Sequence, residues 1–495
     1  MVSSEASPWA KSGGLADVLG ALPKALAFRG HAVATVIPRY MGAKTAQATR
    51  VIRGLPIAFG KRIFEIAIWK LRADETTFFF VDEPLLFDRP GLYGDKDGDY
   101  PDNHIRFAVL SRAALEISRR LFPADIIHCH DWQTSLVPAY LKDPRVVDPS
   151  MLGIRTLLTI HNLGYQGLFD KSALAEIGLP DEFFTPNGME FWGKINFLKA
   201  GIVFADALNT VSRKYAEEIQ TPEYGFGLDG LLRERRSVLS GIVNGADYSR
   251  WNPEADPWIA AHYSADEIAS GNLAGKQTCK RELLREMGLP EKANNRPLLG
   301  IISRFTGQKG FDLIGEAAPD LFTGDLLQDD VYLAALGDGE PQWENLFRML
   351  QTQFPDRISV KFGYDDALAH RIEAGADVFL MPSRYEPCGL NQIYSLCYGT
   401  VPVVRATGGL DDTITAFPAG DATGFKFLDY NGIALLAAIR QACLVWKDKK
   451  AWTAMMLRGM RKDYSWTASA GEYSRLYRKI ASSGVAGDSN FQDEE

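Results

Sequence analysis

Residues 124–141 read ADIIHCHDWQTSLVPAYL. The apolar run through Ile126 and Ile127 ends in a polar cluster and passes into a helix-like segment, which is half of a βαβ unit. The pattern then repeats. RTLLTIHN (155–162) follows, and ADALNTVS (205–212) leads into RKYAEEI (213–219). Continuous apolar strands alternating with helices predict parallel sheets buried on both faces. Near LSGIVNGADYSRWNP (239–253) Gly, Asn and Pro gather and the alternation pauses, which places a hinge at about residue 244. A second series starts at PLLGIISR (297–304), runs through VYLAALGDG, ISVKFGY and ADVFLMPS, and ends near VPVVRATGGLDD (401–412). The expected fold class is therefore α/β, with two doubly wound domains.

At 495 residues the chain exceeds the size at which one core keeps growing, so two domains of roughly 200–250 residues are expected. The predicted segments are 1–243, 244–463, a last helix over 464–483 within SWTASAGEYSRLYRKI, and a frayed acidic tail over 484–495. A hydrophobic fraction of 46% with 23% charged residues is ordinary for a globular protein. The net charge of −8 argues against general nucleic-acid binding, so no nucleic-acid partner is expected. No apolar run approaches the ~20 residues that span a bilayer, and no secretory leader is visible, so a cytoplasmic, membrane-free protein is expected. The five cysteines are scattered without C-x-x-C spacing and read as reduced thiols.

Candidate sites fall after the apolar runs, where open α/β sheets bind ligands. Near the start, MVSSE reads as a short strand, and Lys11, Gly13 and Gly14 precede a helix carrying Leu15, Val18, Leu19, Leu22 and Leu26 at helical spacing. A helix N-terminus beside a lysine suits an anion; a tight turn that happens to contain Lys is the plain alternative. Arg304 and Lys309, with Gly307 and Gly310 between strand and helix, would suit a diphosphate or would simply be surface cations. Glu386, Cys388 and Gly389 lie between a strand and a helix starting near Leu390. A carboxylate there could hold sugar hydroxyls or steady developing positive charge, or serve as a helix cap. Thr407, Gly408 and Gly409 form a third strand-to-helix turn. His128 and His130 share one face of a strand, as two metal ligands could, but no third ligand follows from the spacing and no metal is expected. Asp131 and His161 each close a strand.

KSGGLADV, HDWQT, TIHNLGYQG, NGADYSRWNP, SRFTGQKG, PSRYEPCGLNQ and TGGLDDT occur in that order. The ordered set resembles the motifs of bacterial and plant glycogen/starch synthases over nearly the whole chain. The resemblance implies a GT-B architecture, two Rossmann-like domains facing a deep cleft with the last helix crossing back to the first. It further implies retaining transfer of glucose from ADP-glucose to the nonreducing 4-hydroxyl of an α-1,4-glucan primer, with no metal or cofactor. It places Lys11, Gly13 and Gly14 near the donor diphosphate and sugar, and gives Asp17 a role in ordering that loop or touching sugar. Asp131 and His161 would face the transferred glucose, and Asn244 would reach the sugar from the hinge. Arg304 and Lys309 would neutralise the leaving diphosphate, and Glu386 would stand near the transferred sugar. Cys388, Gly389 and Leu390 would line the pocket, with Thr407 and Gly408 approaching the phosphates.

Three departures from the pattern matter. Met1 stands where relatives carry several apolar residues, so either a short first strand or a truncated start is expected. Ser12 replaces a usual threonine, and Tyr394 occupies the place, eight residues after Glu386, where the wider retaining class often has a second glutamate. A same-face mechanism is therefore expected rather than double displacement. The alternatives are a UDP-glucose or small-acceptor glucosyltransferase, a noncatalytic glucan binder, and a phosphorylase with a pyridoxal cofactor.

Overall fold

Val2 joins two halves of the first sheet. In the computed structural model, which describes residues 1–323 and 330–482, the Val2 amide donates to the His128 carbonyl at 2.8 Å and its carbonyl accepts from His130 at 3.2 Å. On its other side Ser3 donates to Val36 at 3.0 Å. The short first strand is thus one bridging residue flanked by backbone bonds on both edges. The helix it feeds, α1 (Gly14–Ala27), buries Val18, Leu19, Leu22 and Leu26 on one face. Such burial contributes about 1.5–3 kcal/mol per large side chain.

The chain divides into two compact units, one made of Met1–Gly245 with the chain from Trp466 onward, the other of Ala246–Ser465. In the first, β1 (Ala34–Pro38) lies beside Val2, and β2 (Thr49–Phe59), β3 (Arg62–Ala73) and β4 (Thr76–Asp82) continue outward in the order β1-β4-β3-β2. Here the parallel expectation fails. β3 runs antiparallel to both β2 and β4. The sequence carries the reason, since Leu55, Ile57 and Phe59, then Phe64, Ile66 and Ile68, alternate buried with exposed residues around the Gly60 turn. Helix α2 (Asn103–Arg120) packs into the same core through Phe107, Leu110 and Ala114.

On the other side of Val2 stand β5 (Ile126–His130), β6 (Arg155–Ile160), β7 (Ala207–Thr210) and β8 (Leu239–Gly241), all parallel. The second unit has β9 (Leu298–Ile302), β10 (Tyr332–Gly337), β11 (Ile358–Phe362), β12 (Val378–Met381), β13 (Val401–Arg405) and β14 (Phe425–Phe427). Their order is β11-β10-β9-β12-β13-β14, every pair parallel. β14 extends the sheet beyond the strand at which the sequence reading ended it. The order reverses between β9 and β12, which opens a crevice at their C-terminal ends. Helix α3 (Phe311–Phe322) follows β9, α4 (Asn391–Cys397) follows β12 and α5 (Gly408–Thr413) follows β13.

The last described helix, α6 (Trp466–Ser482), returns to the first unit. It packs on α1 through Trp466, Ala470 and Tyr473, beside Leu19, Leu22 and Leu26. The acidic tail expected over 484–495 lies outside the described residues. Among the described residues no helix is long and apolar enough to cross a membrane, and no cluster of His, Cys, Asp or Glu is suited to hold a metal ion.

Candidate active site

Three loops of the second unit converge where its strand order reverses. The Lys309 ammonium lies 2.6 Å from the Glu386 carboxylate, which is buried and also accepts from the Ser383 hydroxyl at 3.1 Å. A charge-assisted pair of this length is strong, and its surroundings fix it. Gln308 donates to the Tyr385 carbonyl at 3.1 Å, and the Arg384 amide donates back to Gln308 at 2.8 Å, lacing the loop after β9 to the loop after β12. Asn391 donates to the Ile302 carbonyl at 2.7 Å and ties α4 to the end of β9. Gln392 bonds the Cys388 and Gly389 carbonyls and the Thr413 hydroxyl, stapling the turn between them.

Glycine is required at two of these contacts. Gly408 has φ +45, and a Cβ there would stand 1.9 Å from the Glu386 carbonyl oxygen; Gly310, at φ +74, would meet the Pro382 carbonyl at 2.0 Å. Both turns reach backbone that only glycine lets them approach. Thr407 occupies the N-cap position of α5, and its buried hydroxyl makes no capping bond and has no hydrogen-bond partner among the described residues. Lys309, Glu386, Cys388, Gly389, Leu390, Thr407 and Gly408 are thus brought together, while Arg304 is exposed at the end of β9. Glu386 is no helix cap, since Leu390 holds the cap position of α4.

In the first unit the loop before α1 differs from its sequence reading. Lys11 pairs with Asp17 at 2.7 Å, but the Ser12 and Gly13 amides do not stand open for an anion. They donate to the Glu5 carboxylate at 2.5 and 3.3 Å, and the Ser12 hydroxyl donates to it at 2.6 Å. The Tyr93 hydroxyl completes the cage around Glu5. Glu5 is a residue the sequence reading missed. A carboxylate already holds part of the positive end that was expected to meet a phosphate, and Lys11 supplies the charge beside it.

Asp131 follows β5 with φ 59 and ψ −174, a region that side-chain-bearing residues avoid. Its carboxylate accepts the His161 amide at 2.7 Å and so clamps the end of β6 to the end of β5. Burial pushes the Asp131 carboxyl up to about 7 against the pull of the His161 and Asn162 amides. Burial lowers the His161 imidazole to about 3, so it is neutral. Its Nε2 meets Nδ1 of His130 at 3.0 Å. The shared face expected for His128 and His130 is real, with ring centroids 4.1 Å apart, but their nitrogens bond Tyr477, Thr159 and His161. Asn244 is buried at the end of the first unit with its side-chain oxygen unpartnered among the described residues. Tyr394, eight residues after Glu386, is buried and stacks on Trp251 with rings 4.2 Å apart.

The starch synthase catalytic domain model matches residues 1–234, and the group 1 glycosyl transferase model matches residues 286–454. A glycogen synthase of Koribacter versatilis is 50% identical over 481 residues, covering 96% of this chain and 97% of its own. The chain belongs to the glycogen and starch synthase family. A glycogen synthase of Myxococcus xanthus is 46% identical, covering 97% of this chain and 98% of its own. The catalytic domain of starch synthase IV from Arabidopsis thaliana, solved with ADP and acarbose, is 32% identical with a TM-score of 0.85, covering 97% of this chain and 98% of that one. This synthase is therefore a glycosyltransferase of the GT-B fold, built from two Rossmann-like units. In such a frame the loops after β9, β12 and β13 are the natural place for charged ligand groups, and the Lys309–Glu386 pair stands among them.

Proposed function

We propose that this protein transfers glucose from ADP-glucose, with retention, to the nonreducing 4-hydroxyl of an α-1,4-glucan and releases ADP. The observation that carries the reading is the 2.6 Å pair of Lys309 with buried Glu386, whose backbone the Gly408 turn approaches, with Arg304 exposed just beyond β9. As the glycosidic bond breaks, negative charge grows on the leaving diphosphate and positive charge on the glucose. Arg304 and Lys309 answer the first, and Glu386 answers the second. In the first unit, Lys11 adds charge for the diphosphate, with Gly13, Gly14 and Asp17 shaping its loop. Asp131, His161 and Asn244 hold the sugar. Cys388, Gly389 and Leu390 form the wall on which it rests.

With Tyr394 in place of a second carboxylate, the departing phosphate takes the proton of the incoming hydroxyl on the same face of the sugar. No resident metal or organic cofactor takes part in this reading, and incorporation should survive a chelator. We further propose a cytoplasmic location; the free state of Cys129, Cys279, Cys388, Cys397 and Cys443 supports it.

The test is glucose incorporation into a glycogen primer, with ADP-glucose and UDP-glucose in parallel and Glu386→Ala as control. Preferential use of ADP-glucose, lost in the variant, is the expected result. Preferential use of UDP-glucose would overturn the donor assignment, and no transfer from either by folded protein would overturn the reaction.

A further inference from the structure

The contact between His161 and His130 fixes where the protons lie. A neutral imidazole has one N–H and one bare nitrogen, so the 3.0 Å approach of His161 Nε2 to His130 Nδ1 carries a single proton. Both rings are neutral, because burial holds His130 well below its usual range and lowers His161 to about 3. Two arrangements remain. If His161 donated, His130 would carry its own proton on Nε2, which is fully buried and has no hydrogen-bond partner among the described residues. That would orphan a buried N–H, the rarer and costlier outcome. If His130 donates, its Nε2 is only a bare nitrogen, and the proton of His161 moves to Nδ1.

The neighbouring ring leaves no escape from this choice. Asn209 donates through Nδ2 to the Thr210 carbonyl at 2.8 Å, which assigns its other atom as the acceptor for the Thr159 hydroxyl. With its hydrogen committed, Thr159 accepts from His128 Nε2 at 2.6 Å. His128 Nδ1 then accepts from the Tyr477 hydroxyl at 2.8 Å, a phenol that burial keeps protonated. The His128 ring lies tilted against His130, centroids 4.1 Å apart, with both its nitrogens engaged, so it offers no acceptor to His130 Nε2.

We infer that His130 is a positioning residue that holds His161 in the Nδ1–H tautomer, so that His161 meets its substrate as a hydrogen-bond donor and not as a base. The hydrogen bonds of His161 among the described residues use its Nε2 and its backbone amide, which leaves Nδ1 to donate to an oxygen of the bound sugar. The substrate part rests on the proposed contact of His161 with the transferred glucose; the tautomer does not.

The experiment is long-range proton–nitrogen correlation on the full chain labelled at its histidine rings, with His161→Gln used to assign signals. Protonated Nδ1 and bare Nε2 on His161 are expected, with protonated Nδ1 on His130. The reverse pattern on either ring would overturn the inference. This spectrum needs no substrate, so it stands apart from the transfer assay: the expected spectrum without glucose transfer would sink the proposed function alone. His130→Asn keeps an N–H near the Nδ1 position, while His130→Leu does not. The leucine variant should populate both tautomers of His161 and raise KM for ADP-glucose about tenfold, as loss of one well-placed hydrogen bond does. The asparagine variant should recover most of that loss. Equal losses in both, with His161 unchanged in its tautomer, would refute the positioning role. Should the leucine variant not fold, the spectrum of the unaltered protein still decides.

Discussion

Glu386 and Lys309 are neutralised by one another, at 2.6 Å, across the loops that follow β12 and β9. Removing either therefore acts on stability and chemistry in different ways. Lys309→Ala strands a buried carboxylate with only the Ser383 hydroxyl as side-chain partner, which costs about 1–3 kcal/mol, and removes a cation from the leaving group. Turnover should fall on the order of 100- to 1,000-fold. Lys309→Met combined with Glu386→Gln should regain the melting temperature lost in Lys309→Met and none of the activity. Recovery of turnover in the double variant would show that the pair is structural. Thermal melts and initial rates on the four proteins settle it.

Two glycines should respond differently to the same substitution. Gly408→Ala forces a methyl group to within 1.9 Å of the Glu386 carbonyl at a positive φ, so the turn must move and both stability and activity should drop. Gly13 has extended backbone and nothing within 4 Å of a built Cβ. Gly13→Ala should fold with an unchanged melting temperature, so any rise in KM for the donor would report crowding of a bound ligand. An unchanged KM would remove Gly13 from the binding surface.

The parallel strands and the loops that close them were readable because each rests on local pattern, an apolar run closed by Gly, Asn or a charge. Lys309 and Glu386 could be nominated from those endings. Their pairing could not, because it depends on β9 and β12 being neighbours across the strand-order reversal. Glu5 was missed for a similar reason. In MVSSEASP it resembles any short-strand acid, and only the folding back of Ser12 and Gly13 makes it the anchor of the loop. The period-two alternation of residues 55–68 carries the signal of the antiparallel pair. β14 spans Phe425–Phe427, too short for its pattern to stand out. The Tyr477 to His128 bond joins residues 349 positions apart and left no trace in local sequence.

Asp131 should set the acid side of the rate profile. Its carboxyl titrates at about 7 because burial opposes ionisation. If the ionised form clamps the His161 amide, kcat/KM for ADP-glucose should rise through about pH 7 when measured from about pH 5.5 to about 8.5. Asp131→Asn keeps an oxygen for that amide but cannot ionise, so its profile should be low and lack the limb. An identical limb in the variant would assign the titration to another group.

Glu373 gives a stability prediction with a definite sign. Burial pushes its carboxyl up to about 8, while the Ser395 hydroxyl bonds one oxygen at 2.6 Å and the other has no partner among the described residues. The folded pKa lies above the unfolded value of about 4.3, so between the two the folded chain holds a proton the unfolded chain has released. Its contribution is fully present below about pH 4 and is lost as pH rises toward 8, with a slope of at most about 1.4 kcal/mol per pH unit. Lys276, lowered to about 8 by burial, works in the opposite sense and only above that pH, where the folded chain has lost a proton that the unfolded one keeps. Glu373→Gln should therefore flatten the fall in melting temperature between about pH 5 and about pH 8, and should stabilise the protein most at the upper end. Glucose transfer should be unaffected, since Glu373 belongs to no part of the proposed site. Parallel melting curves for the variant and the unaltered protein across that range would mean that Glu373 is ionised in the folded state.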